Sequence, residues 1–385
     1  MKKLFSIATI ASLMLLTWCG AYSPLVRFEQ RIMVQLVGID WADDAYIVTV
    51  QFSMGKSSDA GESANDLKTV SGKGANLYSA VKQAQTFVGK EFFFTHTQVI
   101  FLGEETLNNN PLKAIDDYLK YFDHNPTAYV AGVYGAAEEL LSLTYKDEYS
   151  EKNKLLLVLE NAKNTGVYPA YMIYETQIGA HSESGSFFMP MIKISESNDE
   201  EAENSQEDAE QEATVNTPQR KVSPAGGVLI IDEKIAMYMD EKQSEAIALL
   251  VKKCNFARIE FPTSDSQINS LKIFNKKVKI TPKSDGENLV FNVKFSAVAD
   301  KSYNHFLSKA IIDNKIDYYK IPAQKAIRQK LQYGVETTTS KGGDLIGLED
   351  ALKHRDYALW LKVGDEWCEA LKQARFTYDV NLRFI

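Results

Sequence analysis

Short apolar runs alternate with polar breaks along this chain, and the spacing of the apolar positions sorts them into strands and helices. Residues 32–40 and 46–52 read as two strands joined into a hairpin by a turn at Asp43 and Asp44. Leu77, Ala80, Val81, Ala84 and Val88 fall on one face of a helix over 76–88. Val99, Ile100, Phe101 and Leu102 make a short buried strand. Asn110 followed by Pro111 marks a helix start, with Leu112, Ile115, Leu119 and Phe122 as its apolar stripe. A strand over 129–134 and helices over 136–143 and 154–162 follow.

The later half repeats the mixture. Residues 226–231 and 235–239 form a second hairpin about Asp232 and Glu233, and a helix carries Ile247, Leu250 and Val251. The clearest strand covers 289–298, where Leu289, Phe291, Val293 and Phe295 alternate with Val290, Asn292, Lys294 and Ser296. Residues 277–280 are expected to pair with it across a turn at 282–286. Helical patterns over 305–333, interrupted at Pro322, and over 344–357 precede a last alternating strand over 376–382. The class is α+β, multidomain, with mixed and antiparallel sheets, packed helices and three domains. The expected divisions are a signal segment over 1–19, domains over 20–194, 223–272 and 273–385, and a linker over 195–222.

The linker rests on a composition shift. Glu196, Asp199, Glu200, Glu201, Glu203, Glu207, Asp208, Glu210 and Glu212 occur between Ser195 and Asn216 with no Lys or Arg among them. Such a run repels itself and buries too little to offset its ordering entropy. A solvated linker and a cation-binding acidic segment are the two readings.

Charge and the first twenty residues decide the class of partner. The formal net charge is -8, and no basic stretch carries interleaved aromatics, so nucleic acid is not an expected partner. Lys2 and Lys3 precede an apolar run over 4–18 and then Cys19. The run is shorter than the roughly 20 residues that span a bilayer and fits the core of a signal peptide, although a buried core helix has the same pattern. Cys19 stands where a bacterial lipoprotein is cut and acylated, so lipidation at Cys19 is the expected membrane attachment. An acidic body gains nothing from an anionic surface, which leaves acyl chains, worth ~0.8 kcal/mol per buried CH₂, or protein partners to hold it there. With Cys19 lipidated, Cys254 and Cys368 remain as one disulfide or two separate thiols.

Candidate chemistry is sparse. His96, His124, His181, His305 and His354 are scattered without metal spacing, and no Cys/His ligand set, GxSxG elbow or HExxH helix is present. His96 reads as a polar residue bonding its own turn. Residues 71–76 faintly resemble a phosphate loop but lack its GK[ST] ending, and a helix N-cap explains them equally. Asp43 and Asp44 suit a hairpin turn or a cation. No catalytic residue, cofactor or metal site is expected, and the chain reads as an exported, anchored binding or scaffold protein.

Several stretches together resemble the Ger(x)C family of spore germination lipoproteins, the C-subunits of nutrient germinant receptors. They are the lipobox-like region at Cys19, Val37 to Asp40 with the strand at Val48 to Gln51, Gly74 and its helix, and Phe94 to Glu104. Phe188, Met189 and Pro190 follow, then Gly226 to Ile235, an Asp-x-x-Gly at Asp344 and Gly347, and Trp360 paired with Trp367. The chain differs from the family in placing Trp18 before Cys19 and in the length of its acidic stretch. The resemblance implies a palmitate-type lipoprotein of successive α+β domains on the outer face of the inner spore membrane. It also implies assembly with integral-membrane A-type and B-type subunits, no enzymatic activity and no cofactor. An anchored extracytoplasmic solute-binding lipoprotein is the alternative, and an anchored hydrolase comes third.

Overall fold

The computed structural model describes residues 31–53, 67–143, 154–196, 220–251, 254, 256–263, 267–285, 288–300 and 317–384. The signal segment, Cys19, His305 and most of the acidic stretch lie outside them. The described residues form two sheets with helices packed against them, a mixed α+β fold.

The first sheet has ten strands. Strand β1 (Arg31–Ala42) turns through Asp43 and Asp44 into β2 (Ala45–Ser53). Both turn residues have positive φ, 52° and 56°, the backbone a two-residue hairpin needs to match strand twist. Next come β3 (Leu67–Gly74), helix α1 (Leu77–Val88), β4 (Glu91–Phe93) and β5 (Val99–Leu102). Helices α2 (Glu104–Asn109) and α3 (Pro111–Tyr121), strand β6 (Tyr129–Val133), and helices α4 (Ala137–Ser142) and α5 (Lys154–Thr165) continue the chain. Strand β7 (Tyr171–Met172), helix α6 (Ile173–Ala180) and strands β8 (Ser186–Glu196), β9 (Arg220–Ile231) and β10 (Lys234–Met239) complete this unit. The order across the sheet is β10-β9-β8-β6-β5-β1-β2-β3.

Both faces of this sheet are covered. Along β5 every residue is buried: Ile100 and Leu102 face α1 and α3, and Val99 and Phe101 face α4 and α5. A short parallel strand buried on both faces must be apolar throughout, as this one is.

Helix α7 (Glu241–Leu250) leads to the second sheet, whose order is β11 (Phe256–Pro262), β12 (Ile268–Asp285), β13 (Asn288–Asp300) and β14 (Arg375–Phe384). Helix α8 (Asp317–Thr339) packs Ala323, Ile327, Leu331 and Val335 onto one face of this sheet. Further along the same strand face, Leu289 and Phe291 meet helices α9 (Leu348–Arg355), α10 (Tyr357–Val363) and α11 (Trp367–Gln373) through Leu348, Leu352, Trp360, Trp367 and Leu371. The alternation read along 289–298 is realised: Phe291, Val293 and Phe295 are fully buried, each worth roughly 1.5–3 kcal/mol.

The expected divisions can be set beside the strands. The boundaries at 194, 222 and 272 fall inside β8, β9 and β12. Strands β8 and β9 flank the acidic stretch and pair antiparallel from Ser186 with Ile231 to Glu196 with Arg220. The stretch therefore joins two neighbouring strands of one sheet. Among the described residues the segment over 223–272 has no sheet of its own, since β9 and β10 belong to the first sheet and β11 and β12 to the second. A composition shift carries no information on which sheet its flanks join; strand pairing decides that. Residues 282–285 of the turn expected at 282–286 belong to β12, which runs to Asp285 and includes Pro282 opposite Phe291. Strand β11 has ended by then, so the missing proline N–H costs no ladder bond on that side.

Candidate functional site at the junction of the two units

The two units meet where a loop before α9 reaches the first sheet, and Asp344 is its centre. One Asp344 carboxylate oxygen accepts N–H bonds from Ile346, Gly347 and Leu348 at 3.2, 2.9 and 3.0 Å, and the other accepts from Glu349 at 2.8 Å. Gly347 is the N-cap and Leu348 and Glu349 open the helix, so Asp344 satisfies three orphan amides of α9 from ahead of its start and a fourth in the turn before it. The turn needs Gly347, whose φ of 80° is costly for a residue with a Cβ. Burial raises the Asp344 carboxyl above its ordinary value, against the four amides that favour its charged form. The expected helix at 344 thus begins four residues later, because its first residues form this cap.

Asp344 also ties the units together. Its own N–H donates to Ser186 Oγ on β8 at 2.8 Å. Ser186, Ser184 and Ser182 share hydroxyl contacts of 2.7 and 3.2 Å, and Ser182 donates to the carbonyl of Gly179. Beside them, buried Glu349 accepts the Glu183 N–H at 3.0 Å and pairs with Lys353 at 2.6 Å. The Lys353 ammonium lies 4.4 Å from the centre of the Trp360 ring, which gives the first residue of the tryptophan pair a place in the same network.

Above this network a cleft of about 420 Å³ opens between α6 and the 344–350 loop. Tyr174, Ile178 and Gly179 line one side and Leu345, Gly347 and Asp350 the other, with Ile178 69% exposed. Several of its polar groups bond within the chain: Glu175 accepts the Met172 N–H and the Tyr174 hydroxyl, and the serines bond one another, while Asp350 is exposed on the opposite wall. No histidine lines the cleft. The arrangement clasps two units and offers an apolar rim.

Asp40 in β1 is the counterpart within the first unit. Its two oxygens accept the N–H groups of Ala137 and Glu138, both at 2.8 Å, at the start of α4. Burial raises this carboxyl too, opposed by those two amides. A Cβ on Gly103 would lie 1.9 Å from an Asp40 oxygen, so the close approach of β5 to β1 requires glycine there. Asp40 and Gly103 both come from stretches that carry the family resemblance, and both are explained by packing.

The remaining candidates separate. Cys254 is buried and Cys368 half-buried, and both are free thiols, so they form no disulfide. His124, His181 and His354 bond the carbonyls of Phe122, Gln177 and Asp350 on their own turns, while His96 is exposed with its ring 6.1 Å from that of Phe93. Residues 71–76 end in a helix cap, where Asn76 accepts from Ser79 N–H and Ser79 Oγ accepts from Asn76 N–H. Asp43 sits in the hairpin turn, 2.8 Å from Lys73. Among the described residues no group of three His, Cys, Asp or Glu side chains could hold a metal.

Lys276 escapes sequence reasoning. Asn275, with φ 50°, and Lys276 form a bulge in β12, because the register with β13 shifts between Phe274 and Lys277. The bulge turns the Lys276 ammonium inward onto the carbonyls of Ala248, Leu249 and Val251 at the end of α7, and burial pulls its pKa down to about 8. A run of lysines read at period two gives no sign of this inversion.

The fold and the junction together define a two-unit α+β scaffold whose shared sequence features set geometry. Family models place it more narrowly. The model described as "Spore germination protein N-terminal domain" matches residues 26–194, and that described as "Spore germination B3/ GerAC like, C-terminal" matches 225–384. The chain belongs to this spore germination family. A solved structure, "Crystal Structure of the GerBC protein", is similar over 91% of this chain and 96% of that one, with a TM-score of 0.51 and 15% identity. That likeness concerns the fold. No curated protein sequence matches the chain. Among the described residues no helix is long and apolar enough to cross a membrane.

Proposed function

We propose that the chain is a non-enzymatic subunit of a nutrient germinant receptor, lipid-anchored through Cys19 on the outer face of the spore inner membrane. There it assembles with integral-membrane subunits of the A and B types. The observation that carries this reading is the tandem family match over 26–194 and 225–384. The geometry supports it: the polar groups at the junction hold the two units together, and the apolar rim at Tyr174 and Ile178 is left to dock against a companion. A lipid tether confines the body beside its partners and raises their effective concentration without demanding a tight contact.

The test is recovery of partners. Affinity-tagged full chain, extracted from spore membranes in mild detergent, should bring down two multi-spanning proteins. Recovery of neither contradicts the proposal. The intact mass of the mature N-terminus reports the anchor separately, and an unmodified Cys19 removes it.

The cleft between the units keeps solute binding in view, since pockets between domains commonly hold small ligands. A rise in melting temperature with an amino acid, sugar or nucleoside favours that reading, and no shift with any of them counts against it.

A further inference from the structure

The described part of the first unit starts at Arg31, and the surface around that point differs from the acidic whole. Arg31 on β1 pairs with Glu91 on β4, so the end of α1 and the start of β4 lie at the same end of the sheet. There the Arg31 guanidinium lies 5.3 Å from the Phe93 ring centre, Lys82 Nζ lies 5.5 Å from that of Tyr78, and Lys120 Nζ lies 5.4 Å from that of Tyr121. The Tyr78 and Tyr121 rings are 6.1 Å apart and line one cleft with Arg31, Lys82 and Phe93. Both tyrosines are exposed, and Phe87 in the last turn of α1 is 68% exposed. Lys90 adds a fourth exposed cation, and Glu91, Asp123 and Asp116, which lies one turn before Lys120 on α3, are exposed acids beside them. Among the described residues, four cations against three carboxylates leave this end with a small positive excess in a chain of net charge -8.

Exposed aromatics with cations over their faces are the chemistry of a membrane–water interface. Rings settle at headgroup depth, and Lys and Arg meet anionic phosphates. Position agrees with chemistry. Cys19 and Arg31 are twelve residues apart in the sequence, and twelve extended residues reach at most about 40 Å. We infer that the surface formed by Arg31, Tyr78, Lys82, Phe87, Lys120 and Tyr121 rests on anionic lipid and sets how the body stands on the membrane. This rests on the reading that Cys19 carries a lipid.

Photo-crosslinking tests it. The full chain carries p-benzoylphenylalanine in place of Phe87 or, as a control in the second unit, in place of Leu361, which is 66% exposed. Each is reconstituted into phosphatidylcholine vesicles with or without phosphatidylglycerol. Position 87 should form lipid adducts that increase with phosphatidylglycerol, and position 361 should not. Lys82→Glu with Lys120→Glu should lower the adducts at 87 by at least roughly tenfold, taking about fivefold for each cation removed from an anionic surface. Both are exposed positions, and an unchanged thermal melt confirms that the variant is folded. Equal labelling at 87 and 361, no loss on charge reversal, or adducts to protein in place of lipid would each overturn the inference. The mass of the N-terminus is read on the same sample. An unmodified Cys19 removes the tether and still leaves the adducts at 87 to decide the surface.

Discussion

Two aspartates with buried carboxyls perform the same operation in this chain at different structural levels. Asp40 takes two amides at the start of α4 and fastens that helix to β1, all within the first unit. Asp344 takes four amides at the start of α9, and its own amide bonds Ser186 in the other unit. Each carboxyl is raised by burial and opposed by the amides it accepts. The contrast teaches that one kind of contact, a carboxylate on helix-start amides, can fix a unit internally in one place and fix two units to each other in another.

The largest effect should come from Asp344→Ala. Four amides lose their acceptor, and the loss should be about 3 kcal/mol after relief of the buried charge is counted. Its signature in calorimetry is a single thermal transition divided into two, because the junction is what couples the units. Gly103→Ala should cost about 2 kcal/mol, since the added methyl meets the Asp40 carboxylate and the core resists overpacking. Its melting should remain a single transition, displaced downward. If Gly103→Ala divides the transition and Asp344→Ala does not, the comparison between the two aspartates is wrong. Ser186→Ala removes one cross-unit acceptor and should cost about 1 kcal/mol, measured by urea unfolding.

The smallest effect is one of pH. With the Asp344 pKa raised above 3.8, the folded chain binds more protons than the unfolded one between 3.8 and the raised value. Stability contributed by this group therefore falls as pH rises through that window. Relative to Asp344→Asn, which does not titrate there, wild type should gain melting temperature as pH is lowered from neutral toward 4. A difference that stays constant or shrinks would show that the carboxyl is not raised.

What was legible in the sequence was local. The hairpins about Asp43 and Asp232 could be read because two adjacent residues of positive φ close each turn, and the period-two run at 289–298 declared its buried face directly. Helix α3 announced itself through Asn110 and Pro111, and Asn110 indeed accepts the Lys113 N–H. The parallel placement of β1 beside β5 and of β5 beside β6 joins residues far apart in the chain and leaves no short-range trace. The pairing of β8 with β9 across the acidic stretch was hidden for the same reason. At the junction, the spacing of Asp344 and Gly347 is visible in the sequence, but the partner of Asp344, Ser186, lies 158 residues away. Nothing in the helical pattern over 344–357 singles out Glu349, whose partners Glu183 N–H and Lys353 are set by the fold.

The most direct test of the central claim, a two-unit scaffold whose exposed rim docks onto membrane companions, is quantitative partner recovery with Ile178→Glu in the full chain. Ile178 is exposed and contributes little to the core, so the variant should melt as wild type does. It should bring down the two multi-spanning proteins at a small fraction of the wild-type yield. Wild-type recovery by a folded Ile178→Glu chain would contradict the account.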